Sequence, residues 1–355
     1  MRRSSPGIGG WCEKRPRHRS AGATGSRTDG MSVAMSERES DWYKAMTFSH
    51  PGHIPVSVGL LPAAWMKHRE ALEEIVLRHP IIFGEREKGS VDFDAVSGTY
   101  AAGDHVDEWG CVWRNIAPGC EAFVTGHPLP RREMVSNFQA PAPGAGLPHG
   151  FMFLRLTYLR GYEEMMIDFA EEPPELQRLI DVVLDYNVGE LNRQLSDGPP
   201  SLMHFGDDLG MQIALPISPE KWRKYLKPCY AKLYGMCHQA GVDVYMHSDG
   251  HTIPIIADLI ECGVNVINPQ IRANGLEALV RECKGKACVD LDLDRQMFPF
   301  CTPTDIDAHI REAVEKLGSS EGGLWLSAEV GPDVPLENVE AICQGLERWR
   351  GYWRG

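Results

Sequence analysis

"YMHSDGHTIPIIADLIECGVNVINPQ", residues 245–270, reads as a strand end, a turn, a helix and a second strand. The first apolar run covers 242–247, the helix 252–263 and the second run 264–268. Strand, helix and strand at this spacing give parallel strands joined by a right-handed crossover. Both runs stop abruptly in groups that can carry a proton, a metal or a hydrogen bond. The first stops at His247, Ser248 and Asp249, the second at Asn268 and Gln270.

The same alternation extends outward. Strands are predicted at 54–59, 151–158, 201–206, 242–247, 264–268, 287–292 and 323–328, seven in all, with room for an eighth in 95–125, where "DEWGCVWRN" reads as a hairpin or irregular insertion. Helices are predicted at 173–195, 218–241, 252–263, 275–285, 302–318 and 335–349. The helix at 218 opens on Ser-Pro-Glu and the one at 302 on a Thr cap followed by proline, both ordinary helix starts. Short strands apolar on both sides belong to sheets covered on both faces. The expected fold is therefore α/β, a single (β/α)8 TIM barrel. A doubly wound open sheet is the competing topology, and no G-x-G-x-x-G follows an early strand to support its dinucleotide-binding form.

In a barrel of this class the chemistry sits at the C-terminal strand ends. Those ends offer Arg155 and Thr157, then His204, Asp207 and Asp208, then His247 and Asp249. Asn268 and Gln270, Asp290 and Asp292, and Ser327 and Glu329 follow. Members of a pair two residues apart point the same way. Any one of them would also serve as a helix cap, but caps need one residue each and six strands end this way. In "GDDLG" (206–210) one carboxylate can raise the other's pKa and make a general acid, or Asp208 only caps a turn. "VDEWGCVWRN" (106–115) places Trp109 where it either roofs the barrel mouth and stacks a planar substrate or packs in the core.

Composition bounds the rest. The chain has 355 residues, 43% of them hydrophobic, and a formal charge of −13, which argues against a general nucleic-acid or anionic-membrane binder. No apolar run reaches the ~18 residues of a membrane span. The ten cysteines are scattered without a CxxC, as expected of reduced thiols in a cytoplasm. Residues 1–40 are basic, rich in Arg, Ser and Gly and without periodicity, so they read as a disordered or non-native extension ahead of one barrel domain at 45–355.

The segments "SPEKWRKYLKPCYAKL" (218–233), "YMHSDGHTIPIIADLIECGVNVINPQ", "CTPTDIDAHIREAV" (301–314) and "GPDVPLENVEAI" (331–342) together resemble the uroporphyrinogen decarboxylase superfamily, over roughly residues 45–350. That superfamily includes the heme-pathway decarboxylase and cobalamin-linked methyltransferases, and its fold is a (β/α)8 barrel. The Arg-Gln-Ala-Gly-Arg segment that clamps substrate carboxylates in the decarboxylase is absent here, which leans the resemblance toward the methyltransferase-like branch. That branch holds zinc through His-x-Cys-Gly and a later Cys. Here the first segment is His247-Ser248-Asp249-Gly250, and the later position falls at or near Ala328, beside Glu329. The resemblance thus implies a zinc site of His247, Asp249 and Glu329 suited to an oxygen-bearing methyl substrate. The metal-free alternative makes His247 and Asp249 an acid–base pair.

The implied activity is methyl transfer between a small methylated substrate and a corrinoid, either methylcobalamin or a corrinoid protein partner; the alternative is a decarboxylase-like carboxy-lyase. His247, Asp249 and Asp208 are the expected catalytic residues. Arg155, His204, Asp207, Asn268, Gln270, Asp292 and Trp109 are the expected substrate contacts, and a homodimer is the expected assembly.

Overall fold

The computed structural model describes residues 39–144 and 146–352; all but the last two residues of the expected N-terminal extension lie outside that range. The described residues fall into two compact units. One is Val96–Val264, and the other comprises the described parts of Lys14–Ala95 and Asn265–Gly355.

In chain order, the first described segment carries α1 (Asp41–Met46), β1 (Val56–Leu60), α2 (Pro62–Arg78) and α3 (Pro80–Phe83). The unit from Val96 then supplies β2 (Gly103–Val106), β3 (Val112–Asn115), β4 (Phe123–Gly126), α4 (Phe153–Arg160), α5 (Tyr162–Glu171) and α6 (Pro174–Ser196). It continues with β5 (Leu202–Gly206), α7 (Pro219–Tyr225), α8 (Lys227–Gln239), β6 (Asp243–Ser248) and α9 (Ile253–Glu261). The remaining elements are β7 (Val266–Pro269), α10 (Ile271–Asn274), α11 (Leu276–Cys283), β8 (Cys288–Asp292), α12 (Pro303–Leu317), β9 (Leu324–Val330) and α13 (Leu336–Trp349).

Within the 96–264 unit β5 and β6 pair in parallel, with His204 opposite Tyr245 and Gly206 opposite His247. Within the other unit β1 lies beside β9, β9 beside β8 and β8 beside β7, all parallel. Parallel strands alternating with helices make this an α/β fold of the (β/α)8 barrel class, with six parallel strands among the described residues.

The hairpin reading of 95–125 holds, and one expected strand is something else. The region 95–125 holds the antiparallel ribbon β2–β3–β4. Residues 151–158, expected as a strand, form most of helix α4. Its first N–H groups have a partner that the local sequence does not reveal: Phe153 and Leu154 donate to the Asp207 carboxylate at 2.5 and 2.8 Å. That supplies the oxygen a helix start requires. Gly150, at φ +72°, turns the chain into the helix. Phe153, Leu156 and Leu159 are buried, and so are Arg155 and Arg160. A helix buried all round carries no amphipathic stripe, so its apolar run looks like a buried strand.

The expected helix at 218–241 is two helices joined at Leu226. Pro228 has no N–H to give to the carbonyl four residues back, which interrupts the ladder. The start at 302 is as read: Thr302 and Asp305 form a reciprocal capping box. The core of the 96–264 unit is aromatic. Phe151 packs on Phe205 and Tyr230, with ring centroids 5.1 and 5.4 Å apart, and Trp222 lies 5.6 Å from Tyr230. The core of the other unit is aliphatic, built from Leu72, Val289, Leu291, Ile306, Leu326 and Ile342. Among the described residues, seven free cysteines are buried. No helix among the described residues is long and apolar enough to cross a membrane.

Candidate functional site

β5 and β6 end side by side, and their following loops are tied together. The Asp207 amide donates to the His247 carbonyl at 3.1 Å, Gly210 to the Asp249 carbonyl at 3.2 Å and His251 to the Met211 carbonyl at 2.7 Å. The Leu209 amide donates to the Ser248 hydroxyl at 3.0 Å and the Asp249 amide to Oδ1 of Asp208 at 3.1 Å. The loops cross where both residues are glycine. A β-carbon on Gly250, itself at φ +81°, would stand 2.2 Å from the Gly210 carbonyl oxygen. "GDDLG" and "HSDG" are therefore two halves of one clamp.

The clamp gathers three of the expected catalytic groups. Nε2 of His247 lies 3.3 Å from Oδ1 of Asp249 and 3.8 Å from Oδ1 of Asp208. A fourth group, absent from the sequence reading, joins them: His149 reaches Oδ2 of Asp208 with Nε2 at 3.2 Å. Its ring centroid stands 5.5 Å from that of His247. One ligand atom from each of His149, Asp208 and His247 falls within 4.8 Å of the others. All three side chains are half-buried, within reach of solvent and a substrate.

The two adjacent carboxylates play opposite parts. Burial would raise the Asp208 carboxyl, but the hydrogen bond and charge of His149, the charge of His247 and the Asp249 amide outweigh it and hold the group down at about 2. Asp208 is a carboxylate and an acceptor. Asp207 is the raised one, pushed up to about 6 by complete burial against the pull of the Tyr230 hydroxyl and the Leu154 and Phe153 amides. Its oxygens are taken by those donors, Tyr230 at 2.5 Å, so its work is to cap α4.

The other expected contacts have defined places. Arg155, on α4 rather than at a strand end, is buried and paired with Asp107 at 2.9 Å. Its guanidinium lies 5.2 Å from the Trp109 ring centroid and 5.5 Å from that of Tyr158. Trp109 is buried against Tyr186 and Phe138. His204, one layer below Gly206 on β5, packs against Tyr245 at 4.5 Å.

In the other unit the Asn268 amide donates to the Asp290 carbonyl at 2.6 Å. Gln270 bridges to Asp292 in parallel register, and Glu329 is ion-paired with Arg295. Of the expected ligand set, His247 and Asp249 thus meet in one unit, while Glu329 belongs to the other, where its partner is an arginine.

A family profile described as uroporphyrinogen decarboxylase (URO-D) matches residues 153–349. No curated protein sequence matches the chain. Among solved structures, a methyltransferase from Methanosarcina mazei superposes with a TM-score of 0.58 at 17% identity, covering 87% of this chain and 98% of its own. A B12-independent methionine synthase from a Shewanella species, in complex with selenomethionine, gives a TM-score of 0.40 at 10% identity, covering 85% and 98%.

Proposed function

Because the chain belongs to the uroporphyrinogen decarboxylase (URO-D) family, we propose that it is an enzyme of the methyltransferase-like kind within it, moving a methyl group between a small oxygen-bearing substrate and a corrinoid, free or carried on a partner protein. The observation that carries this reading is the composition of the clamp. Imidazole and carboxylate groups crowd around His247, in the segment for which the resemblance implies a zinc ligand. Arg155, the one arginine among the expected substrate contacts, is already neutralised by Asp107. That leaves it no free fork for a polycarboxylate substrate. The likeness to the Methanosarcina methyltransferase supports the same branch.

The donor set fits a zinc ion in kind, since nitrogen and oxygen ligands without a thiolate suit a borderline metal and an oxygen substrate. His247 and Asp208 would hold it. When bound, zinc supplies Lewis acidity toward the oxygen that bears or receives the methyl group. The chain's own residues do the rest. Asp208, held as a carboxylate, keeps the imidazoles of His149 and His247 oriented. Asp249, against His247 Nε2, is placed to accept a proton from a substrate hydroxyl. The glycine crossing keeps both carboxylates in register.

The test is methyl transfer from methylcobalamin to small alcohols, phenols and thiols, and from methyl ethers to reduced cobalamin, followed by the cobalamin spectrum. The reading expects turnover with an oxygen substrate that is lost on His247→Ala. Release of carbon dioxide from a carboxylate substrate, undiminished by chelator and without any methyl transfer, would overturn it in favour of a lyase.

A further inference from the structure

Gly206 is a glycine that its own backbone does not require. It sits at the end of β5 in regular register with His247, and it is not among the glycines of left-handed conformation. A β-carbon there would lie 2.4 Å from Nδ1 of His149, with Cε1 at 3.3 Å and Cγ at 3.5 Å. The imidazole of His149 fills the volume that any other residue at 206 would claim. A glycine inside a strand marks the close approach of another group, and here that group is a titratable, metal-ligating side chain. The approach is anchored as well. The Gly150 amide donates to the Gly206 carbonyl at 2.7 Å, and the far side of the ring meets Asp208 Oδ2 at 3.2 Å. Chain, strand and carboxylate together fix the ring beside His247.

We propose that His149 is a third metal ligand alongside Asp208 and His247, and that Gly206 is bare in order to seat it. The result is a two-imidazole, one-carboxylate centre for a divalent transition-metal ion. The inference deepens the reading above and rests on its metal site. Three protein donors leave coordination positions open for a substrate oxygen. Two imidazoles and a carboxylate favour zinc, cobalt(II) or iron(II) over thiophilic copper(I). Asp249 is outside the group of mutually close donor atoms; with its Oδ1 3.3 Å from Nε2 of His247, it stands beside the centre as the base. The expected ligand set of His247, Asp249 and Glu329 is thereby redrawn within a single unit.

The experiment loads the metal-free full-length protein with zinc(II) or cobalt(II) and measures affinity by competition with a chromophoric chelator, in wild type, His149→Ala, Gly206→Ala and the double variant. Both single variants are expected to weaken binding by roughly 10–100-fold or more, the range seen when a metal's supporting shell is damaged. They should also change the ligand-field spectrum of bound cobalt(II). The double variant should bind no more weakly than His149→Ala, because an alanine methyl at 206 finds no imidazole to displace; such non-additivity is the mark of two residues acting through one contact.

Wild-type affinity and spectrum in both single variants would overturn the proposal, as would a wild type that takes up no ion. If Gly206→Ala does not fold, judged by circular dichroism, His149→Ala and His149→Gln decide alone. Methyl transfer by the wild type is assayed in parallel to separate the two readings. Ion uptake dependent on His149 without methyl transfer sustains this centre and removes the methyltransferase reading. Methyl transfer unaffected by exhaustive chelation does the reverse.

Discussion

Arg155 and Asp107 form a buried ion pair at 2.9 Å, and the same carboxylate takes the Trp113 indole N–H at 3.0 Å and the Cys111 amide at 2.8 Å. Helix α4 and the β2–β3 ribbon are thus joined through one charged group. Removing one partner strands the other charge away from water, at a cost of ~3–5 kcal/mol. Arg155→Met should therefore lower the urea midpoint sharply. The double variant with Asp107→Asn should recover part of the loss. A single variant within ~0.5 kcal/mol of wild type would show that the pair holds nothing together.

Gly250→Ala should be worse than an ordinary glycine replacement. The position combines φ +81° with a β-carbon 2.2 Å from backbone that cannot swing aside, so both strain and collision act. A loss of more than ~2 kcal/mol is expected in chemical denaturation, together with reduced metal uptake. Retention of both stability and uptake would mean that the loop crossing tolerates a side chain.

Asp208→Asn keeps the shape and removes the charge that His149 and His247 face. Turnover should fall by ~10²-fold or more. The loss should not be recovered at low pH, because the wild-type carboxyl, held down at about 2, is ionised throughout the working range. Turnover of the variant equal to that of wild type at any pH between 5 and 9 would remove Asp208 from the site.

His309, on α12, gives a stability prediction with a definite sign. Its Nε2 accepts the Asp294 amide at 3.2 Å, which only the neutral ring can do. Burial, outweighing the charges of Asp294 and Glu312, lowers its pKa. A base whose folded pKa is depressed binds fewer protons folded than unfolded. Its contribution is intact above the unfolded value of about 6.5 and is lost as pH falls through that value. Denaturation midpoints for His309→Gln should decline less between pH 7.5 and 5.5 than those of wild type. Parallel curves would contradict the assignment.

The sequence makes the site legible where a strand leads into it and opaque where only the fold does. His247 and Asp249 stand out because an apolar run ends in them, and β6 is where it was expected. His149 lies in "PAPGAGLPHG" (141–150), with no strand or helix pattern to single it out. Its partner carried the signal instead: Gly206 ends β5 on a residue with no side chain. Helix α4 was hidden for a related reason. The oxygen that starts it belongs to Asp207, more than fifty residues further on. Its charged residues are buried against Asp107 and Asp168, so neither a local cap nor a polar face marks it. The "DD" of 207–208 showed that two carboxylates were present. Which of them would be lifted depended on burial, and that depended on where α4 packed.

The cross-links between the loops after β5 and β6 have a kinetic consequence. The strand ends that carry Asp208 and His247 are bridged by amides across two neighbouring parallel strands, so that pair cannot loosen by fluctuation of one loop alone. Opening it means parting the strand pair, a sub-global event of far higher free energy than the fraying of a terminus. Amides of Asp207, Leu209, Gly210 and Asp249 should therefore exchange with deuterium on the slow timescale of the surrounding core, with or without an ion. The binding of an ion should release little heat from folding, because the β5 and β6 ends that carry Asp208 and His247 are already joined.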